Sequence, residues 1–207
     1  MTGESEHERP LRRADLDGDP ERQFSAWFAQ AGAAGIRFPE AAALATASAE
    51  AAPSVRMVLV KGFAAGRFRF YSNHTSRKGR ELATNPRAAL LFYWEALGRQ
   101  VRVEGPVAHA TAEETAAYVR SRPRGSQIGA LASPQSQVVA SREELERRVS
   151  ELAERYGEDE LPLPTHWGGF ALTAETYEFW QQRADRLHDR LRYRREQGAW
   201  LIERLAP

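Results

Sequence analysis

The sequence predicts a mainly β chain with packed helices, an α+β protein whose strands build an antiparallel barrel. Three observations carry that prediction. Runs rich in apolar, β-branched and aromatic residues, bounded by Gly, Pro and Asn, recur along most of the chain, as strands do. Helical patterns are interspersed among them without the regular alternation that builds a doubly wound sheet. A chain of 207 residues, 42% of them hydrophobic, is also long enough to bury roughly 70% of the surface its unfolded form exposes.

Taken in order, residues 1–18 read as a flexible N-terminal arm and residues 19–207 as a single domain. Asp19 followed by Pro20 starts a helix in which Phe24, Trp27, Phe28 and Ala31 share one face. "AAALATAS", "SVRMVLVKGF" and "GRFRFYSN" then read as successive strands, and the unbroken apolar centre of the second predicts burial on both faces. A short helix is expected in "SRKGRELATN", stopped by Pro86, before strands in "RAALLFYWEAL" and "RQVRVEGPVAHA". Thr111 with Glu114 and Ser141 with Glu144 have capping-box spacing and start two helices. The second of these places Leu145, Val149, Leu152 and Tyr156 on one face. "WGGFALTAETYEFWQ", "RLHDRLRYRRE" and "AWLIERLAP" complete the strands.

Composition removes several functions. The net charge of +1 is far from the strong basic balance of a nucleic-acid-binding domain. No apolar run approaches the roughly 18 residues of a membrane span, and the polar N-terminus has no secretory core, so a cytoplasmic location is expected. With no cysteine there is no thiolate nucleophile and no Cys-ligated metal. The five histidines are too scattered to propose a metal set, GxGxxG, GxxxxGK and HExxH are absent, and Ser126 in "RGSQIG" lacks nucleophile-elbow spacing.

What remains is positive charge in particular places. The window 178–195 holds six arginines and a histidine. Treated as a strand, it puts Arg186, His188, Arg190 and Arg192 on one face and Leu187, Asp189, Leu191 and Tyr193 on the other. Such a stripe can hold a phosphate dianion, and equally it fits a solvated face with local pairs to Asp185 and Asp189. Only two of the 29 basic residues are lysines, Lys61 and Lys78. Arg56 and Lys61 stand at opposite ends of one strand, and Ser76, Arg77 and Lys78 stand where a strand hands over to a helix, whose free amides favour phosphate.

These residues resemble a known family. "EFWQQRADRLHDR" is similar to the C-terminal signature of the pyridoxamine (pyridoxine) 5′-phosphate oxidases, and "RMVLVK", "FYSNHTSRKG", "NPRAALLFYW", "LGRQVRVEG", "YVRSRPRGSQIGALAS", "PQSQ", "PLPTHWGGF" and "RLAP" match in order over residues 11–207. The resemblance implies an FMN-binding split β-barrel, a homodimer with FMN at the subunit interface. Its implied reaction is oxidation of pyridoxamine or pyridoxine 5′-phosphate to pyridoxal 5′-phosphate, with O2 as acceptor and H2O2 as by-product. It implies FMN contacts at Arg56, Met57, Val58, Leu59, Val60, Lys61, Tyr71, Ser72, Arg77, Lys78, Gln100, Gln135, Ser136, Trp180 and Arg190. It assigns substrate phosphate to Lys61, Tyr118, Arg122 and Ser126, and places Arg186 and His188 over the substrate ring as catalytic residues. Neither metal, nucleic acid nor membrane is implied as a partner.

Four positions depart from the family pattern. Arg9 is present without the neighbouring Tyr, Phe38 precedes Pro39 where an acidic residue is usual, Leu131 stands for Trp, and Gln182 stands for Gly. All four concern the substrate side. They leave room for two other readings, a related flavin oxidase acting on another ring, as in phenazine pathways, and a flavin- or pyridoxal-phosphate-binding protein without turnover.

Overall fold

Nine strands and five helices carry the fold in a computed structural model that describes residues 10–207. The strands are β1 (Ala41–Ala47), β2 (Pro53–Ala64), β3 (Arg67–Asn73), β4 (Arg87–Trp94), β5 (Arg99–His109), β6 (Trp167–Thr173), β7 (Thr176–Gln181), β8 (Asp189–Glu196) and β9 (Ala199–Leu205). All pairings are antiparallel. Neighbours run β1–β2–β3–β6–β5–β4 and back to β1, which closes a barrel of six strands, while β7, β8 and β9 extend the sheet from β5. The expected antiparallel barrel with packed helices is the observed one.

Its inner face is aromatic. Phe24 and Trp27 from α1 (Pro20–Ala33) meet Phe68, Phe92, Trp94 and Phe179 from the strands, all at most 4% exposed. Phe24 lies 5.0 Å edge-on from both Phe68 and Phe92, a favoured geometry for ring pairs. Asp19 accepts from the Glu21 amide to cap α1, as its place before Pro20 predicts. The helix stands over the barrel as a plug because Phe24, Trp27 and Ala31 recur on one side.

The single long run "WGGFALTAETYEFWQ" divides in two. β6 pairs with β3 and with the end of β5, and β7 pairs with the start of β5. Gly105 sits at the division. A Cβ there would run into the Thr173 carbonyl oxygen, so the crossing backbones demand glycine.

Three further expectations are corrected. β2 is not buried on both faces: Val55, Met57 and Leu59 are 69%, 64% and 42% exposed, because a barrel strand turns only one face to the core. The arm is anchored at Leu11, whose side chain enters the core and whose amide bonds Asp189; Arg9 lies outside the described residues. The arginine strand begins at Asp189, since Asp185 and Arg186 adopt left-handed φ of +55° and +60° in a short turn that takes Arg186 and His188 off the strand. Arg190 and Arg192 do alternate with buried Leu191 and Tyr193 as expected.

Helices α2 (Arg77–Thr84), α3 (Ala112–Ser121) and α5 (Arg142–Tyr156) start at Ser76, Thr111 and Ser141. The Thr111–Glu114 box is complete, whereas Glu144 turns back to the Ala140 amide instead of the cap residue's own. α4 (Arg124–Ala132) has no counterpart in the sequence reading. Pro123 precedes it without a side-chain cap, and its Gly-rich start lacks an apolar period.

Candidate active site

β2 changes partner along its length, and the change opens the site. Pro53–Leu59 pair with β1, Val60–Ala64 pair with β3, and the register shifts between Val60 and Gly62. Beyond that bulge β3 keeps only its β6 partner, so β2 and β3 diverge. Between them lies a cavity of about 670 Å³, within the usual size of a cofactor pocket.

Of the residues assigned by resemblance, Arg56, Met57, Val58, Leu59, Tyr71, Ser72, Arg77, Lys78, Gln135, Ser136, Tyr118 and Arg122 line this cavity. They come from β2, β3, α2, α3 and the loop after α4, segments far apart in sequence. Ser126 faces an adjoining cavity of about 310 Å³ that shares Arg122, Gln135 and Trp167 as its wall. Tyr118 lies in the last turns of α3, Arg122 caps it, and Ser126 follows Pro123, its amide bonded to the Pro123 carbonyl.

The cationic end is built at the β3–α2 turn. Ser76 caps α2 by accepting from the Gly79 amide. Lys78 is 8% exposed, and its Nζ donates to Ser72 Oγ at 2.9 Å, Gln135 Oε1 at 3.2 Å and Ser76 Oγ at 3.3 Å. All three partners are neutral. Burial, then the charge of Arg56, bring its pKa down to about 8, against the pull of Glu81.

Glu81, which the sequence reading passed over, organises the neighbours. Its carboxylate accepts from Thr46 and Ser54 at 2.5 and 2.6 Å, from Arg77 Nε at 2.9 Å and from Arg56 Nη2 at 3.3 Å. Burial alone would raise its pKa, but those hydrogen bonds and the Arg56 charge hold it at about 2. The signal was legible as an Arg–Glu pair one helical turn apart on α2.

The other wall is aromatic. Tyr71 and Tyr118 stack at 3.8 Å, and Trp167 lies 5.9 Å from both and parallel to Tyr118 within 5°. Ser54, Val55 and Trp167 line the cavity without having been singled out. The first two merely extend the "RMVLVK" strand, and Trp167 stands in a quoted motif that gave it no role.

The remaining assigned residues lie elsewhere on this chain. Gln100, Trp180 and Arg190 form one cross-strand row over β5, β7 and β8. Arg190 is held by Glu178 at 2.8 Å and by the Ala206 carbonyl at 2.8 Å. His188 packs on Trp180 at 4.6 Å, and its Nδ1 accepts from the Arg183 amide at 3.1 Å, which leaves the proton of a neutral imidazole on Nε2. Arg186 is exposed beside it. Val60 is in the core, and Lys61 pairs with Glu40 at 3.2 Å, outside the cavity lining. Phe38, Leu131 and Gln182, three of the departures, do not line the cavity either.

A buried lysine without a carboxylate, a guanidinium nitrogen of Arg122 buried without a partner, and an aromatic wall fit a phosphate-bearing aromatic cofactor such as FMN. Comparison with known proteins agrees on lineage. Residues 28–156 match the family described as pyridoxamine 5′-phosphate oxidase, and residues 167–207 match the pyridoxine 5′-phosphate oxidase C-terminal dimerisation region. A pyridoxine/pyridoxamine 5′-phosphate oxidase of Salinibacter ruber is 52% identical over 95% of this chain and 93% of its own. One of Bordetella petrii is 54% identical over 91% and 89%. Among solved structures, PhzG from Burkholderia lata 383, in complex with tetrahydrophenazine-1-carboxylic acid, superposes with a TM-score of 0.90 at 32% identity, covering 97% of this chain and 100% of that one. With both halves matched and half the residues shared with such relatives, the chain belongs to the pyridoxine/pyridoxamine 5′-phosphate oxidase family of oxidoreductases.

Proposed function

We propose that the protein is an FMN-dependent oxidase converting pyridoxamine or pyridoxine 5′-phosphate to pyridoxal 5′-phosphate, working as a homodimer. The observation that carries this reading is the pair of cations in one cavity, the buried Lys78 and the half-buried Arg122, neither joined to a carboxylate among the described residues. Two uncompensated cations suit two phosphates, one on the cofactor and one on the substrate. FMN, when bound, supplies the two-electron chemistry and delivers the electrons to O2, giving H2O2.

The chain's own residues bind and orient. Lys78, with Arg56 and Arg77 clamped by Glu81, would hold the cofactor phosphate, and the free edge of β2 over Pro53–Leu59 offers main-chain groups to its ring. Tyr118, Arg122 and Ser126 would hold the substrate phosphate at the far end. His188, its Nδ1 occupied by the Arg183 amide, would take part through Nε2 in proton movement at the substrate's reacting carbon, and Arg186 would hold the ring. Lys61 requires release from Glu40 to serve either phosphate.

The homodimer accounts for the split placement of the assigned residues. The outward faces of β2, β1 and β4 present Val55, Met57, Ala45, Leu91 and Tyr93, an apolar surface that continues through the Tyr93–Gln100 pair into the Gln100–Trp180–Arg190 row. A second copy on this face would bring one chain's row to the other's cavity, and the matched dimerisation region includes Trp180 and Arg190.

A phenazine-type ring is the second reading, favoured by the likeness to PhzG. Hydrogen peroxide release decides between them: pyridoxamine 5′-phosphate is expected to be turned over and a tetrahydrophenazine carboxylate is not. The reverse result would transfer the assignment to the second ring class.

A further inference from the structure

Arg122 differs from the other arginines of the site in how it is held. Arg56 and Arg77 are tied to Glu81, and Arg190 to Glu178. Arg122 has no carboxylate partner among the described residues. Its guanidinium carbon lies 4.9 Å from the centroid of the Trp167 ring, and its Nη1 is buried without an acceptor. A carboxylate fixes an arginine by neutralising it and occupying its donors. An aromatic face fixes it while leaving both charge and donors for a ligand.

Trp167 is itself well fixed. It is the first residue of β6, paired with Asn73 of β3, and its amide bonds the Pro164 carbonyl. Its ring is parallel to Tyr118 within 5°. It forms the partition between the large cavity and the smaller one that holds Ser126, together with Arg122 and Gln135. Trp is the ring with the strongest attraction for a cation.

We infer that Trp167 is a positioning residue for the substrate phosphate: its ring holds Arg122 charged and open-handed at the junction of the two cavities, and so sets the preference for phosphorylated over unphosphorylated substrate. The inference rests on the oxidase reading for the identity of the substrate, but its core, an aromatic platform under a phosphate-binding arginine, does not require turnover.

The test compares Trp167→Leu, which removes the platform, with Trp167→Phe, which keeps a weaker one, both as FMN-loaded protein. Calorimetric titration with pyridoxal 5′-phosphate and steady-state rates with pyridoxamine 5′-phosphate and pyridoxamine are measured. Trp167→Leu is expected to raise the Kd for pyridoxal 5′-phosphate and the KM for pyridoxamine 5′-phosphate by about 10-fold. It is expected to leave kcat within about 2-fold, since the reacting atoms are not touched, and to lower FMN affinity by much less than it lowers phosphate-ligand affinity, since Trp167 adds to the aromatic wall but does not touch Lys78. The preference over pyridoxamine should narrow by the same factor, and Trp167→Phe should recover most of the loss. Unchanged phosphate-ligand affinity in the Leu variant, an equal fall in FMN affinity, or a Phe variant as impaired as the Leu variant would each overturn the role. If wild-type protein binds pyridoxal 5′-phosphate but does not oxidise pyridoxamine 5′-phosphate, the oxidase reading fails alone, and the titration still decides for or against Trp167.

Discussion

Lys78 and Glu81 lie on the same helix and respond to pH in opposite senses. Lys78 is surrounded by neutral oxygens and has a pKa lowered to about 8, so phosphate finds it protonated below that value and increasingly neutral above it. FMN affinity is therefore expected to fall as pH rises through about 8. Lys78→Ala should weaken binding by about 10- to 100-fold and flatten that pH dependence, as fluorescence titration would show. Unaltered affinity would remove Lys78 from the cofactor site. Glu81 has a folded pKa of about 2 against an ordinary 4.5. A depressed carboxylate contributes stability that is complete above its unfolded pKa and lost as pH falls through the folded one. Glu81→Gln should thus cost about 1–3 kcal/mol at pH 7 in urea unfolding, and the gap from wild type should close toward pH 2. A gap that persists there would mean that shape, not charge, is what Glu81 supplies. The lysine bias in the sequence pointed to both lysines; Lys78 is buried in the cavity, whereas Lys61, at the β2 bulge, is tied to Glu40.

At the level of elements, helix starts and strand alternation were readable because they depend on neighbours in sequence. Asp19, Ser76, Thr111 and Ser141 all cap as their spacing indicates. What was not readable depends on partners far away. The run 167–181 carries no local mark of its division, which is imposed by β5 pairing with two strands in turn, and α4 carries no periodic face. The turn at Asp185 and Arg186 breaks alternation through two left-handed residues, the second of them an Arg, a type that rarely adopts that conformation. Gly105→Ala is expected to destabilise by about 1–3 kcal/mol or to prevent folding, because the added methyl meets backbone that cannot move aside. Denaturant titration measures the change, and wild-type stability in the variant would show that the β6–β7 crossing is looser than its contacts indicate.

Across the whole molecule, the outer face of β2, β1 and β4 explains why a strand centre as apolar as "MVLV" is exposed on one side. A sequence run that is apolar on both faces is satisfied by a core on one and, in the proposed assembly, by a second chain on the other. Leu91 belongs to that face and lies outside the cavity lining. Leu91→Asp is expected to convert a dimer to monomer in light scattering and to weaken FMN by more than about 10-fold, the cavity having lost its neighbour's row. A monomeric variant that keeps full FMN affinity would show that one chain completes the site.

In the proposed function this cavity brings FMN and a phosphorylated pyridine together for oxidation. Mixing FMN-loaded protein with pyridoxamine 5′-phosphate under anaerobic conditions tests it in one step. The visible flavin absorbance is expected to bleach with pyridoxal 5′-phosphate formed in equal amount, and to return when O2 is admitted. Flavin that stays oxidised over an excess of pyridoxamine or pyridoxine 5′-phosphate would contradict it.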